Sequence, residues 1–492
     1  MNGVEFALGA GAAVLLLAVL AVRVSTRLGL PSLLLYLAIG LLIGESGLGI
    51  EFSDAPLTAA LGIAGLVLIL AEGGLTTRWS VIRPALAWGI ALATVAVAAN
   101  IALTGCALHL LLRLDWRTAL LWGAVLSSTD AAAVFSVLRA LKVPPRLAGA
   151  LEMESGINDA PVYIAVVLLT TGGPLRWWTP LLVGYELLVG AGVGAALGFA
   201  GAWVLRRAAL PATGLYPLAT IAVCVLAFAA GQGLHASGFL ATYLAGLVLG
   251  NAHLPHRGDT LSFAEGLGWL AQIGLFVLLG LYASPARLPG VLVPALVAGA
   301  VLVVLARPLS VAVALAPFRV PWREQAFLSW SGLRGAVPIV LALIALTRGF
   351  PGAGRLVDVV FVLVVLLTAV QALTLVPVVR WLGLSCPEQG RDMEVDSAAL
   401  DEMDAELLQV RVPRHSRLHG VYLWELRLPP GAVVSLVVRN GEVFTPAPTT
   451  RLEEGDQLLV VTTAGNRDKA EQRIRAVHRA GRLARWLGET GA

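Results

Sequence analysis

The chain has 492 residues, of which 58% are hydrophobic and only 13% charged, and carries a net charge of +4. A mean hydropathy of +0.82 is more than any soluble core of this size requires, so the class is a polytopic membrane protein. The pI near 9.2 comes from arginines that flank apolar stretches and not from a nucleic-acid-binding surface, and three scattered cysteines make neither a disulfide framework nor a metal site.

The first residues run straight into a long apolar stretch with no positive n-region and no cleavage site, which predicts a first membrane helix rather than a removable signal. Stretches of about twenty apolar residues, the length that crosses a bilayer, recur to residue 383 and predict thirteen spans. The third, over 57–76, carries a lone carboxylate, Glu72, near its end. The fifth, over 117–140, is interrupted by Ser127-Ser128-Thr129-Asp130, and the sixth, over 147–171, by Glu154-Ser155-Gly156-Ile157-Asn158-Asp159. An ionisable group at membrane depth costs about 2.5–3.5 kcal/mol on insertion scales, so it usually marks an ion or proton path. Carboxylates, an amide and hydroxyls this close together can replace the water shell of a small cation.

Asp159 is the leading candidate for a site that alternates between cation and proton. A partly desolvated carboxylate can hold a proton near neutral pH and release it when a cation arrives. Thr129 and Ser155 add the oxygens that alkali cations prefer. Asp130 either orients the site or offsets positive helix ends, with a permanent arginine pair as the alternative. Glu72 either reaches the cation or faces the cytoplasm near Arg78.

The seventh span places Gly190, Gly194 and Gly198 on one face, for packing within the monomer or across a dimer. The twelfth, over 324–347, holds Arg334 between Gly332 and Gly335, with Pro338 four residues on, the pattern of a helix broken where it lines a cavity. A buried guanidinium needs a carboxylate, and Glu154 is the predicted partner. This break falls in the fifth of the last six spans and Ser127–Asp130 in the fifth of the first six. Matched breaks of this kind are the sign of inverted repeats with a midplane site.

Alternate connections carry thirteen Lys and Arg against six in the other set, which places the N-terminus outside and the tail in the cytoplasm. Residues 1–383 hold 21 basic and 15 acidic residues, and residues 384–492 hold 14 and 16. The division predicted is a membrane domain over 1–383, an acidic linker over 384–406 and a soluble α+β domain over 407–492. In the tail, Leu407–Val412, Ala432–Arg439 and Gln457–Thr462 read as strands. Asn440-Gly441 is a hairpin turn leading into Glu442–Phe444, and a basic helix runs from about Asn466 to Trp486.

At these residues the chain resembles bacterial cation:proton antiporters of the cation:proton antiporter-1 family, relatives of the sodium/proton exchangers. The resemblance rests on Ser-Ser-Thr-Asp at 127–130, Glu-Ser-Gly-Ile-Asn-Asp at 154–159 and Gly-Leu-Arg-Gly-Ala-Val-Pro at 332–338. It implies an all-α membrane domain of thirteen helices with two crossed, unwound helices, a homodimer in the bacterial inner membrane, and elevator-like alternating access. It further implies cation ligands at Glu72, Thr129, Ser155 and Asp159, with Asn158 and Glu154 bonded to Arg334. Asn158, where other members carry Asp, matches the branch associated with electroneutral exchange.

The tail resembles the C-terminal subdomain of modules that regulate potassium conductance. That implies a small ligand there, a nucleotide among the candidates, and tilts the cation from sodium towards potassium. No cofactor beyond the transported ions is expected. The alternative is a tail-gated potassium channel or uptake component, against which stands the lack of a Thr-Val-Gly-Tyr-Gly filter. An enzyme is not expected, since no phosphate-binding loop, zinc motif or nucleophile elbow occurs.

Overall fold

The computed structural model describes residues 3–28, 31–45, 47–50, 52–130, 143–173, 177–384, 395–400, 405–413, 416–463 and 466–481. Two compact units result: Met1–Leu254 with Thr260–Ser385, and Cys386–Ala492 with the short segment Pro255–Asp259.

Among the described residues of the first unit, all regular structure is helical. In chain order the helices are α1 (Gly3–Leu28), α2 (Ser32–Ile43), α3 (Ala55–Thr76), α4 (Trp79–Leu112), α5 (Trp116–Val125), α6 (Pro145–Ile157), α7 (Asp159–Thr170), α8 (Thr179–Arg207), α9 (Leu215–Gly233), α10 (Gly238–Asn251), α11 (Arg257–Tyr282), α12 (Leu288–Phe318), α13 (Trp322–Trp330), α14 (Ala336–Thr347) and α15 (Ala353–Trp381). Seven of them, α3, α4, α8, α9, α11, α12 and α15, are long and apolar enough to cross a membrane. The spans expected to carry polar interruptions are divided. The sixth consists of α6 and α7, the twelfth of α13 and α14, and the fifth begins with α5, its second half over 131–142 lying outside the described residues.

The two breaks share one chemical feature. Ser127 Oγ donates back to Gly123 O at 2.6 Å, and Ser331 Oγ donates back to Phe327 O at 2.7 Å. A hydroxyl that captures the carbonyl four residues earlier weakens and bends a helix without by itself ending it, as Thr94 in α4 and Thr374 in α15 show, so the bond accompanies each break. The preceding long helices also match. α4 contains a π-helical turn at Leu92–Ala96 and α12 one at Val301–Ala306, and the two helices contact each other at these turns. Paired breaks and paired π turns in corresponding halves are what an inverted repeat produces.

Small residues set the helix spacing, because lipid offers no hydrophobic drive for helices to associate. A Cβ at Gly190 would meet the backbone of Ser237, one at Gly194 the backbone of Ala241, and one at Gly198 the side chain of Val248. The glycine face of α8 is therefore spent on α10 inside this chain and not on a second copy.

The second unit carries a five-stranded antiparallel sheet in the order β1-β2-β5-β3-β4: β1 (Val395–Leu400), β2 (Ala405–Arg411), β3 (Val433–Arg439), β4 (Glu442–Phe444) and β5 (Gln457–Thr463). One helix follows, α16 (Arg467–Ala480). Leu408 faces Val460 and Val410 faces Leu458 across the β2–β5 ladder, and these four side chains bury with Ile474 and Val477 of α16. The predicted hairpin forms with Asn440 and Gly441 both at positive φ and Arg439 opposite Glu442. Buried Asp456 takes two hydrogen bonds from Arg439, each 2.8 Å. The stretch expected to be an acidic linker needs correction: its residues 395–400 form β1 and its last two, 405 and 406, begin β2, with which β1 pairs. An edge strand needs only backbone pairing on one side, so an acidic sequence does not prevent it. The rest of that stretch, over 385–394 and 401–404, lies outside the described residues, as do 482–486 of the expected basic helix.

Candidate functional site

The two breaks meet. Asp130 N–H donates to Leu333 O at 2.9 Å, and the carboxylate of Asp130 accepts from Ala336 N–H, the first residue of α14, at 3.3 Å. A carboxylate at the start of a helix complements its orphan N–H groups and positive dipole end. Gly335 makes this approach possible, since a Cβ there would collide with the Asp130 carboxylate. The buried guanidinium of Arg334 donates to Ser128 O, and Thr368 Oγ1 of α15 donates to Arg334 O at 2.6 Å. Carbonyls freed by each break are thus answered by groups from other segments, as backbone at membrane depth requires.

Asp159 sits beside this crossing, buried at 6% exposure, and accepts from Ser128 Oγ at 2.8 Å. Next to it Asn158 Nδ2 donates to Thr129 Oγ1 at 2.5 Å, and Thr129 Oγ1 lies 3.3 Å from Ser155 Oγ. Asp159, Ser128, Thr129, Asp130, Ser155 and Asn158 therefore converge on one buried locus. Asp159 and Asp130 also line a cleft together with Glu152, Gly156, Thr77 and Tyr243. A carboxylate among hydroxyls at the end of such a cleft can hold either an alkali cation or a proton, but not both at full strength.

Helix geometry explains where the carboxylates of α6 and α7 point. At about 100° per residue, positions 152, 155, 156 and 159 fall on one face, whereas 154 lies some 140° away from 159. Glu154 accordingly faces another helix, and here the expected pairing is corrected. Its carboxylate is held by Arg307 of α12, with Nη1 to Oε1 at 2.5 Å and Nη2 to Oε2 at 2.8 Å, both side chains buried. Arg307 Nη2 also donates to Leu328 O at 3.2 Å, tying α12 to α13 just ahead of the second break. Arg334, the expected partner, instead donates to Ser128 O, and Asn158 bonds to Thr129 rather than to Arg334. Glu72 is half-buried, packs against Gly268 of α11 and does not line the cleft.

Three residues escaped the sequence reading. Ser128 was within the polar run, but nothing local distinguishes the hydroxyl that meets Asp159 from its neighbours. Arg307 had a legible signal, an arginine inside a long apolar span followed by Pro308, the same logic that singles out Arg334. Glu152 also had one, seven residues before Asp159 on the same helix face.

Residues 12–381 match the family described as sodium/hydrogen exchanger, transmembrane, and residues 407–475 match the TrkA-C domain. The K(+)/H(+) antiporter NhaP of Alkalimonas amylolytica is 37% identical over 457 residues, covering 91% of this chain and 79% of that protein. The K(+)/H(+) antiporter NhaP2 of Shewanella baltica (strain OS223) is 35% identical over 463 residues, covering 92% and 80%. Among solved structures, the sodium proton antiporter MjNhaP1 from Methanocaldococcus jannaschii at pH 8 superposes with a TM-score of 0.68 at 23% identity, covering 77% of this chain and 99% of that one. That last likeness is one of fold.

Proposed function

Because the chain belongs to the sodium/hydrogen exchanger family and works as a cation/proton antiporter, we propose that the exchange takes place at Asp159 and that the cation is potassium. The observation that carries this reading is the placement of Asp159: buried beside the crossing of two broken helices, bonded to Ser128, and facing the cleft. Cation and proton compete for its carboxylate, so loading one expels the other. Ser128 supplies a hydroxyl to the bound species, and Thr129 and Ser155 line the adjoining wall. Asp130 and Arg334 hold the crossing in shape, while Glu154 braces it through Arg307. Asn158 is uncharged and adds no second proton carrier, so exchange is one for one and electroneutral.

Potassium is favoured over sodium by the names of the two relatives that share most of this chain's length, and by the TrkA-C domain. That domain is the regulatory element in this reading, responding to a nucleotide or another small ligand. The surrounding picture is a homodimer in the bacterial inner membrane with the N-terminus outside and the tail inside, an orientation supported by the arginine-rich alternate connections. Glu72 serves away from the cation, since its side chain rests on α11.

Dye-reported proton exchange in inside-out vesicles tests the proposal. Addition of potassium salt should dissipate a proton gradient with the wild type and not with Asp159→Asn. Equal responses from the two proteins would remove Asp159 from the mechanism, and a larger response to sodium would replace potassium as the cation.

A further inference from the structure

The exchange at Asp159 leaves one carboxylate of the cleft unused. Glu152 lines the same cleft as Asp159, two helical turns earlier on the same face, about 10 Å away at 1.5 Å per residue. It is half-buried, and among the described residues it has neither an ion pair nor a side-chain hydrogen bond. Across the cleft stands Tyr243 of α10, 2% exposed, whose hydroxyl lies against the side chain of Thr77. Thr77, at the end of α3, lines the same wall. Gly156, one turn after Glu152, lets the Tyr243 ring pack directly against α6 between the two carboxylates, where a Cβ would run into it.

An unpaired carboxylate in a largely apolar cleft is costly unless a cation or proton visits it. A cation held between Glu152 and the Tyr243 hydroxyl would relieve that cost. Resting on the antiport reading, we propose that Glu152 and Tyr243 form a vestibule site that captures a partly dehydrated monovalent cation before it reaches Asp159. Glu152 supplies the charge, and the Tyr243 hydroxyl supplies a neutral oxygen that replaces a lost water. The site lies towards the end of the cleft where α3 ends and α6 begins, next to the arginine-rich connections. The carboxylate restores there an attraction for cations that the arginines would otherwise weaken.

A vestibule site governs capture and not turnover, which separates it from a structural role. In proteoliposomes of the full chain, Glu152→Gln should raise the half-saturating potassium concentration about fivefold, the factor for losing roughly 1 kcal/mol of attraction at 4 Å, with the maximal rate within about twofold of wild type. Glu152→Asp should recover most of the affinity, and Tyr243→Phe should show a smaller rise of the same kind. An unchanged half-saturating concentration in Glu152→Gln, or a loss of maximal rate alone, overturns the proposal.

A second measurement does not depend on transport. With Asp159→Asn, potassium chloride should still raise the apparent Tm above choline chloride at equal ionic strength, and the double variant with Glu152→Gln should lose that increment. Absence of the increment in Asp159→Asn also overturns the vestibule site. A wild type that exchanges neither cation would refute the antiport reading, while the Tm experiment would still decide the vestibule site.

Discussion

Replacing Arg307 by methionine tests whether the buried pair with Glu154 holds the crossing together. The guanidinium meets both carboxylate oxygens, at 2.5 and 2.8 Å, with side chains only 4% and 1% exposed. Removing one partner of such a pair leaves an uncompensated buried charge and typically costs about 3–5 kcal/mol. Leu328 O loses its donor as well, adding about 1 kcal/mol. Stability shifts per kcal/mol shrink as a folded unit grows, so roughly 1–2 °C per kcal/mol applies here and the apparent Tm should fall by about 4–12 °C. A double-mutant cycle then identifies the partner. Glu154→Gln and Arg307→Met should be non-additive by about 1–3 kcal/mol, because the second change removes a charge already stranded by the first. Fluorescence-detected thermal denaturation in detergent gives all four values. Additive single effects for Glu154 and Arg307, together with strong coupling between Glu154 and Arg334, would refute the assignment.

Gly335→Ala drives a methyl group into the Asp130 carboxylate and pushes the two breaks apart. Exchange should fall about tenfold to a hundredfold, the usual loss for a reacting group displaced by about 1 Å, and a wild-type rate would show that the crossing tolerates separation. Asp115 caps α5, accepting from the Thr118 backbone N–H at 3.0 Å, and the hydrogen bonds from the Thr118 hydroxyl and backbone hold its carboxyl below the usual aspartate value. Its folded-state value is depressed, so its stabilisation is complete above the unfolded value, about pH 4, and is lost as pH falls through the folded one. Asp115→Ala should therefore lower stability by about 0.5–1 kcal/mol at neutral pH. Thermal melts across pH should show that difference shrinking as the medium is acidified, and a difference independent of pH would contradict the cap.

Composition and periodicity alone determined that this is a membrane protein with a distinct, charge-rich C-terminal domain, because apolar runs of bilayer length and a charge-rich C-terminal region are local properties. The same holds for the polar runs at 127–130 and 154–159, the break around Arg334 and the Asn440-Gly441 turn, each of which expresses a backbone or solvation demand within a few residues. Even the direction of Glu154, away from Asp159, was contained in the helical period. Tertiary structure decided which group met which. Glu154 had two buried arginines to choose from, and the packing of the bundle brings Arg307 of α12 to it. Ser128 rather than Ser155 reaches Asp159, because the register of two crossing segments is set by contacts such as that between Asp130 and Leu333. The glycines of α8 could have served a second copy until Ser237 and Ala241 were found against them. A linear pattern fixes the face a side chain takes on its own helix. Its partner lies on another helix, placed by the summed packing of the whole bundle, and no local pattern carries that information.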